Sequence, residues 1–164
     1  MNPSPLPTAE QTRGFPWEKL SWLIVNEGEA GDLLASMGDA HEVEAIELVL
    51  PLEGTPEDET VVRSAHTVGS KLASHHTFKK VNIICTLGSV GLIAFVSLAR
   101  DSGKEALYLP SAKLDGPVVD TTGAGDCFAG YLVSGLMGLR QSHKEDILGV
   151  LNISIKVRPS RTSR

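Results

Sequence analysis

The sequence predicts an α/β fold, in which the strands of a central sheet alternate with helices. Residues 22–25 and 81–85 are short apolar runs with the length and β-branched content of buried strands. Residues 27–37 and 57–74 place apolar side chains at helical spacing. Because each crossover must run back over the sheet, this alternation predicts a sheet with helices on its faces.

The remaining elements of the first two thirds are predicted in chain order. Residues 1–16 hold four prolines and few apolar side chains, so they are expected to be extended and to lack a helix. Residues 43–50 are apolar and alternate loosely, which indicates a further strand. Residues 92–98 form a second apolar run behind the glycines 88 and 91, and this run is predicted to pair back on residues 81–85 as a hairpin.

A glycine-rich turn begins the last third of the predicted fold. A short strand ends at Val119, and the turn follows it directly. Beyond the turn, apolar and small residues recur at helical spacing: Phe128, Tyr131, Leu132, Gly135, Leu136 and Leu139. A helix is therefore predicted to start at the glycines.

The length, composition and charge of the chain limit the classes of protein to which it can belong. A chain of 164 residues with 41% hydrophobic residues is long enough for one domain with a core, and a formal charge of −5 argues against a nucleic-acid partner. Residues 1–14 lack the features of a secretory signal, and no apolar run approaches the roughly 18 residues of a membrane span. Two cysteines cannot form a disulfide framework. We therefore expect a cytoplasmic protein, with the nucleus as a second location.

Most histidines and both cysteines are expected to have structural roles. His66, His75 and His76 fall on a predicted amphipathic helix and its end, where exposure or capping outweighs metal ligation. Cys85 is expected to be a buried strand residue, and Cys127 a helix-packing residue. The basic residues near the C-terminus are interpreted as a tail, with the domain at residues 1–155 and the tail at residues 156–164.

The glycine-rich turn carries the chemistry of the sequence. Its residues 120–126 read DTTGAGD, so small residues lie where a strand ends and a helix begins. Unpaired backbone N–H groups and the positive end of the helix dipole can then face one anion, which the glycines allow to approach closely. Asp126 is placed to accept a proton from an attacking hydroxyl. An anion hole and a general base are the minimal set for phosphoryl transfer.

A structural alternative remains open for this turn. Gly123 and Gly125 could serve only a tight turn, and Asp126 could be a first-turn acid favoured by the helix dipole. Other glycine-rich loops fit less well, because the chain lacks the Gly-Lys-Ser/Thr of the Walker pattern. The spacing of Gly123, Gly125 and Gly130 also breaks the dinucleotide-binding G-x-G-x-x-G.

The stretch DTTGAGDCFAGYL resembles the C-terminal signature of pfkB-type carbohydrate kinases, the ribokinase-like family that includes fructokinase and adenosine kinase. Three further stretches resemble family elements in the same order: NPSP at residues 2–5, NEGE at residues 26–29 and TLGSVG at residues 86–91. The resemblance implies a three-layer, Rossmann-like sheet with helices on both faces, present here as a partial domain.

The resemblance also implies a site. It makes Asp126 the catalytic base that deprotonates the primary hydroxyl of a sugar, with ATP as phosphoryl donor, and it places the anion hole at Gly123, Ala124 and Gly125. Asn26 and Glu29 would hold the phosphates and hydrated Mg²⁺. The nucleotide would lie beside a turn formed by Thr86, Leu87, Gly88, Ser89, Val90 and Gly91. Asp120 and Thr122 would bind an activating monovalent cation such as K⁺.

Structural alternatives stand beside each of these implied roles. Asn26 could be a helix N-cap with Glu29 as its capping-box partner, and both roles can coexist. The turn at residues 86–91 could be an ordinary hairpin connection. Asp120 and Thr122 could cap the end of a strand.

By the resemblance, the preferred activity is ATP-dependent phosphorylation of D-ribose, within carbohydrate metabolism. Fructose and adenosine are alternative acceptors, and an inert nucleotide-binding remnant is the alternative to an enzyme. The family's Gly-Gly sugar-binding element, its lid sheet and an acidic sugar contact would precede NPSP, and LNISIKVRPSRTSR replaces its C-terminal adenine loop. We therefore expect a truncated chain that is inactive by itself, and a full-length form that dimerises through the lid.

Overall fold

The computed structural model describes residues 1–38, 46–49, 56–97, 103–112, 123–139 and 144–156. The chain divides into two compact units, Met1–Pro110 and Ser111–Arg164.

A five-stranded mixed sheet forms the centre of the first unit. Its strands are β1 (Trp22–Asn26), β2 (Leu48–Val49), β3 (Asn82–Thr86), β4 (Gly91–Ser97) and β5 (Lys104–Pro110). In space the order is β1-β3-β4-β5-β2. The pairs β1–β3 and β2–β5 are parallel, whereas β3–β4 and β4–β5 are antiparallel. Parallel neighbours require a crossover, and the helix that follows β1 begins one.

The described residues of the first unit form the helices α1 (Ala9–Gly14), α2 (Glu27–Met37) and α3 (Pro56–Ser74). Three single turns of 3₁₀ helix, at Trp17–Lys19, His76–Phe78 and Gly88–Val90, connect the larger elements. Helices α2 and α3 pack against each other and against the sheet. The crossover from β1 therefore runs back over one face of the sheet.

The core of the first unit lies between the sheet and these helices. Alternate strand residues face it, as the two-residue period of a strand requires. They are Leu23, Val25, Ile83, Cys85, Ile93, Phe95, Ala106 and Tyr108, which share one buried cluster with Trp17, Leu33, Leu72 and Phe78. The intervening residues Ile24, Ile84, Leu92 and Ala94 are also buried, so these strands are apolar on both faces.

The second unit contains two packed helices, α4 (Ala124–Gly138) and α5 (Lys144–Lys156). Their buried side chains include Phe128, Leu132 and Leu151. The helices approach closely at Gly135, where an added Cβ would lie 2.5 Å from Val150 Cγ1. Glycine at this position permits the contact.

Several sequence predictions are confirmed. Strand β1 continues directly into α2 at residues 27–37, and α3 starts within a residue of its predicted position. Residues 83–86 pair with residues 92–95 in an antiparallel hairpin. Helix α4 starts directly after Gly123. Of the strand predicted at residues 43–50, the structure shows β2 at Leu48–Val49, and residues 43–45 lie outside the described part.

The prediction that residues 1–16 lack a helix is wrong. Helix α1 begins after Thr8, whose side chain accepts a hydrogen bond from Gln11 N at 3.3 Å while Gln11 Oε1 accepts one from Thr8 N at 3.0 Å. This reciprocal capping box was readable as Thr-x-x-Gln in the sequence. The prolines at 3, 5 and 7 precede the cap, so they do not interrupt the helix.

Two elements were not anticipated, namely β5 and α5. Strand β5 pairs with β4 along seven residues, from Gly91↔Pro110 to Ser97↔Lys104. Helix α5 extends to Lys156, where the basic tail was expected to begin. The strand predicted to end at Val119 and residues 157–164 lie outside the described part of the chain. None of the described helices has the length and apolar character needed to cross a membrane.

The expected capping by His75 and burial of Cys85 are confirmed, whereas His66 is neither exposed nor a helix cap. His75 caps the 3₁₀ turn at His76–Phe78, where its Nδ1 accepts a hydrogen bond from Thr77 N at 3.3 Å. Cys85 is fully buried in β3. His66 is half-buried, since its ring stacks on Phe95 and its Nε2 lies 2.6 Å from the Ile46 carbonyl oxygen.

Candidate functional site

Two of the sequence-predicted motifs lie together at the carboxyl ends of two adjacent strands. Strands β1 and β3 are parallel neighbours, and their last residues, Asn26 and Thr86, are directly opposite each other. NEGE follows the first strand and TLGSVG ends the second, so the parallel pairing brings both motifs to the carboxyl ends of adjacent strands. In open α/β sheets, ligands bind beyond the carboxyl ends of the strands.

Asn26 and Glu29 form a reciprocal capping box at the start of α2. Asn26 Oδ1 accepts a hydrogen bond from Glu29 N at 2.8 Å, and Glu29 Oε2 accepts one from Asn26 N at 2.9 Å. The capping role considered for these residues is therefore present. The carboxylate of Glu29 offers about four lone-pair positions, so others remain for a further ligand beside the capping hydrogen bond. An acidic oxygen donor that is half-buried at a sheet edge fits hydrated magnesium.

Glu27 is an acidic residue of the same turn that sequence reasoning did not single out. Its Oε1 accepts a hydrogen bond from Ser64 Oγ at 2.5 Å, which ties the start of α2 to α3. Burial raises the pKa of the nearby Cys85 to about 12, and the negative charges of Glu27 and Glu29 contribute to that rise. The position of Glu27 next to Asn26 is the sequence signal that could have identified it.

The turn at residues 86–91 depends on two glycines. Gly88 has a φ of 58° and Gly91 a φ of 130°, conformations that side chains with a Cβ rarely adopt. Leu87 N donates to the Gly91 carbonyl oxygen at 2.8 Å, and Val90 N donates to the Leu87 carbonyl oxygen at 3.1 Å. Leu87 and Val90 pack against the core, whereas Gly88 and Ser89 are exposed. The turn thus presents backbone to solvent while its apolar side chains hold it down.

The second unit contains the predicted glycine-rich turn at the start of α4. Gly123 is the N-cap with a left-handed φ of 76° and ψ of 2°, and no side chain caps the helix. The first backbone bond of the helix runs from Cys127 N to the Gly123 carbonyl oxygen at 2.9 Å. The N–H groups of Ala124, Gly125 and Asp126 precede it, so they have no acceptor within the helix. These N–H groups can therefore donate hydrogen bonds to an anion.

The two glycines of this turn serve different purposes. Gly123 has the left-handed conformation that a tight turn requires. Gly125 lies inside the helix without a positive φ, and a Cβ added there would meet nothing within 4 Å. Neither backbone strain nor packing within the described residues requires glycine at 125, whereas an approaching phosphate would. Asp126 is exposed in the same first turn.

The described residues account for part of the predicted site. Asn26, Glu29 and residues 86–91 lie together in the first unit, and residues 123–126 lie in the second. Asp120 and Thr122, predicted to bind a monovalent cation, lie outside the described residues. Within the described part of the chain, no group of three or more His, Cys, Asp or Glu side chains could hold a metal ion.

Known proteins match this chain in sequence and in fold. The pfkB family carbohydrate kinase model matches residues 16–147. The structure resembles ribokinase from Cryptococcus neoformans var. grubii serotype A, solved in complex with ADP, with a TM-score of 0.70 and 43% sequence identity. That match covers 94% of this chain and 43% of the ribokinase. The chain belongs to the pfkB family of carbohydrate kinases, and its fold is ribokinase-like α/β.

More distant structures share the fold alone. Ribokinase from Thermotoga maritima matches with a TM-score of 0.50 and 21% identity, over 94% of this chain and 40% of that one. Aminoimidazole riboside kinase from Salmonella enterica matches with a TM-score of 0.51 and 16% identity, over 96% of this chain and 44% of that one. The chain thus spans less than half the length of each of these kinases.

Proposed function

We propose that this chain is the ATP-binding part of a sugar kinase that transfers the γ-phosphate of ATP to the primary hydroxyl of D-ribose. The observation that carries the proposal is the start of α4. A Cβ added at Gly123 or Gly125 would meet no described atom within 4 Å, and three N–H groups there have no acceptor within the helix. The ADP bound to the Cryptococcus ribokinase, which is 43% identical, supports a nucleotide as ligand.

Each residue of the proposed site has a defined task. Asp126 accepts the proton of the sugar hydroxyl as that hydroxyl attacks phosphorus, which strengthens the nucleophile in the transition state. The anion hole at Gly123, Ala124 and Gly125 stabilises the developing negative charge. The turn at residues 86–91 holds the nucleotide. Positioning and electrostatic stabilisation of this kind supply most of the catalysis in phosphoryl transfer.

The cation sites are part of the proposal. Asn26 would contact the phosphates, and the Glu29 carboxylate would hold magnesium through water. The ion supplies charge neutralisation on the phosphates when it is bound. Asp120 and Thr122 would hold potassium by the family resemblance, through a side-chain oxygen and a backbone carbonyl. A cytoplasmic location and a dimer formed through a lid belong to the same proposal.

A chimera tests the role of Asp126. This chain replaces the matched 43% of the Cryptococcus ribokinase, so that the remaining 57% of that enzyme completes the fold. The chimera should phosphorylate ribose, and Asp126→Asn should lower its turnover by about 10²–10⁴-fold with ADP affinity retained. Asp146→Asn, which removes an exposed carboxylate of α5, is the matched control and should leave turnover unchanged. Turnover of the Asp126 variant at a tenth or more of the parent would refute the assignment.

The choice of sugar needs a separate experiment. Ribose is preferred because NPSP and TLGSVG together resemble the ribokinase branch of the family. The longest product of the gene would be screened with ribose, fructose, 2-keto-3-deoxygluconate and adenosine as acceptors. Ribose should have the highest kcat/KM, and a clear preference for another acceptor would replace it in the proposal.

A second candidate function applies to the 164 residues alone, namely nucleotide binding without sugar phosphorylation. The observation that favours it is the coverage, because the match reaches 43% of the Cryptococcus ribokinase. By the family resemblance, the sugar contacts belong to the other part of the fold. ADP binding, measured by isothermal titration, and turnover of ribose, measured by a coupled assay, separate the two functions.

A further inference from the structure

The turn at residues 86–91 has little rigidity of its own. Gly88 and Gly91 supply conformations that other residues avoid, but glycine also leaves the backbone free to take many others. Two backbone hydrogen bonds, from Leu87 N to the Gly91 carbonyl and from Val90 N to the Leu87 carbonyl, lie within the turn itself. A turn that must present its backbone to a ligand in one conformation needs a hold from outside.

Tyr108 provides such a hold. Its Oη donates a hydrogen bond to the Val90 carbonyl oxygen at 2.8 Å. The carbonyl can only accept, so the hydroxyl must carry the proton. Burial raises the pKa of Tyr108, and the negative charge of Asp58 raises it further, so the hydroxyl remains a donor at neutral pH.

The body of Tyr108 is anchored more firmly than the turn. The side chain is 7% exposed and belongs to the core cluster, and its backbone lies in β5 directly opposite Ile93 of β4. The hydroxyl therefore projects from a packed ring on a paired strand. Because the peptide between Val90 and Gly91 is planar, holding the Val90 carbonyl also restricts the φ of Gly91.

We infer that Tyr108 is a positioning residue of the nucleotide site, whose hydroxyl keeps the turn at residues 86–91 in its binding conformation. The inference rests on the proposed function, because it gives the turn a nucleotide to bind. Tyr108 touches the turn and not the reacting atoms, so its loss should change nucleotide affinity more than the chemical step.

Tyr108→Phe in the 164-residue chain tests the inference, with ADP as the probe in isothermal titration. Phenylalanine keeps the packed ring and removes the hydroxyl alone. The dissociation constant for ADP should rise about fivefold, the size expected for one lost hydrogen bond. Tyr131→Phe is the matched control, because Tyr131 is the second of the two tyrosines and is exposed on α4. It should leave ADP affinity unchanged.

A stability control separates positioning from a general loss of stability. Ile83→Val shortens a fully buried residue of β3 and should cost about 0.5–1.5 kcal/mol. If Ile83→Val lowers the unfolding midpoint as much as Tyr108→Phe but retains ADP affinity, the effect of Tyr108 is specific to the turn. If both variants weaken ADP binding equally, Tyr108 has only a structural role and the inference fails.

A measurement on the unmutated chain gives an independent result. With only two tyrosines, 3-fluorotyrosine labelling yields two fluorine resonances, which Tyr131→Phe assigns. Addition of ADP should shift the Tyr108 resonance and leave that of Tyr131 in place. A Tyr108 resonance that stays unshifted at saturating ADP would overturn the inference while leaving the proposed function intact. A wild-type chain that binds no ADP would instead refute the proposed nucleotide site, and the inference with it.

Discussion

At the scale of single residues, Glu29 combines two roles that one substitution can separate. Its carboxylate closes the capping box by accepting a hydrogen bond from Asn26 N, and it is the proposed holder of hydrated magnesium. Glutamine keeps an oxygen acceptor for the box but loses the charge, whereas alanine loses both. The pair of variants therefore distinguishes capping from metal binding.

Glu29→Gln should leave the stability of the chain nearly unchanged and raise the magnesium concentration needed for half-maximal turnover in the chimera. Glu29→Ala should show the same magnesium effect and also lose about 1 kcal/mol of unfolding free energy. Magnesium titrations and urea unfolding of both variants measure the two effects. An unchanged magnesium requirement in Glu29→Gln would leave capping as the sole role.

Cys85 makes the stability of the chain sensitive to alkaline pH. Burial and the charges of Glu27 and Glu29 raise its pKa from 9.0 to about 12 in the folded state. The folded state then retains a proton that the unfolded state releases, so the stabilisation is complete below pH 9 and is lost as the pH rises from 9 towards 12. At pH 10 the loss is on the order of 1 kcal/mol.

Cys85→Val fills a similar volume without an ionisable group, so it should remove this contribution. Urea unfolding at pH 7.5 and pH 10 should show a larger fall in unfolding free energy for the wild type than for the variant. Cys127→Val, at a half-buried position of α4, is the control and should fall by the wild-type amount. Equal pH dependence in all three proteins would show that the Cys85 thiol does not contribute.

At the scale of the elements, α3 approaches the sheet most closely where it has no side chain. A Cβ added to Gly69 would lie 2.4 Å from Phe95 Cε2 and 2.5 Å from Cζ. Phe95 is fully buried in β4, so its ring has little room to move. The position of α3 on the sheet therefore depends on Gly69. Because α3 belongs to the crossover, the packing of the crossover depends on the same glycine.

Gly69→Ala should destabilise the chain by about 1–3 kcal/mol, because the overpacked helix must shift away from the sheet. Gly31→Ala is the matched control, since Gly31 also lies inside a helix but a Cβ there would meet nothing within 4 Å. It should stabilise the chain by up to about 1 kcal/mol through the higher helix propensity of alanine. Urea unfolding measures both, and the same sign for both variants would contradict the packing described for α3.

At the scale of the whole molecule, the outer edge of β1 carries a pairing with the first residue of the chain. Met1 N donates to the Trp22 carbonyl oxygen at 2.9 Å, and Ile24 N donates to the Met1 carbonyl oxygen at 2.8 Å. These two bonds on either side of Leu23 have the pattern of a parallel ladder. An extended segment can thus pair in parallel with the outer edge of β1. An edge strand without such a partner segment favours association between molecules.

The 164 residues by themselves should bind ADP but phosphorylate no ribose. A hydroxyl that is not held in line with the γ-phosphate forfeits about 7–11 kcal/mol of positioning, so turnover should fall below detection. The measurement is a coupled assay with magnesium and potassium present, after a cooperative unfolding transition has confirmed the fold. Turnover near the 1–100 per second that is ordinary for kinases would show that the sugar site lies within these residues.

The sequence by itself determined the elements whose stabilising contacts are local. Helix α2 starts where Asn26 and Glu29 form their capping box, three residues apart, and the β3–β4 hairpin follows two apolar runs separated by glycines. The Thr8–Gln11 capping box is an equally local signal for helix α1, because the prolines at 3, 5 and 7 lie before the helix. The glycine-rich start of α4 and the family motifs also needed no tertiary information.

Tertiary structure alone decided which distant residues meet. The pairing of β5 with β4, the Tyr108 hydrogen bond to the Val90 carbonyl and the bond from Ser64 to Glu27 all join residues from different elements. Each depends on the register of the sheet and the placement of a helix upon it, which arise from packing of the whole core. Periodicity and capping act over a few residues, so they cannot specify contacts across 18 or 37 positions of the chain.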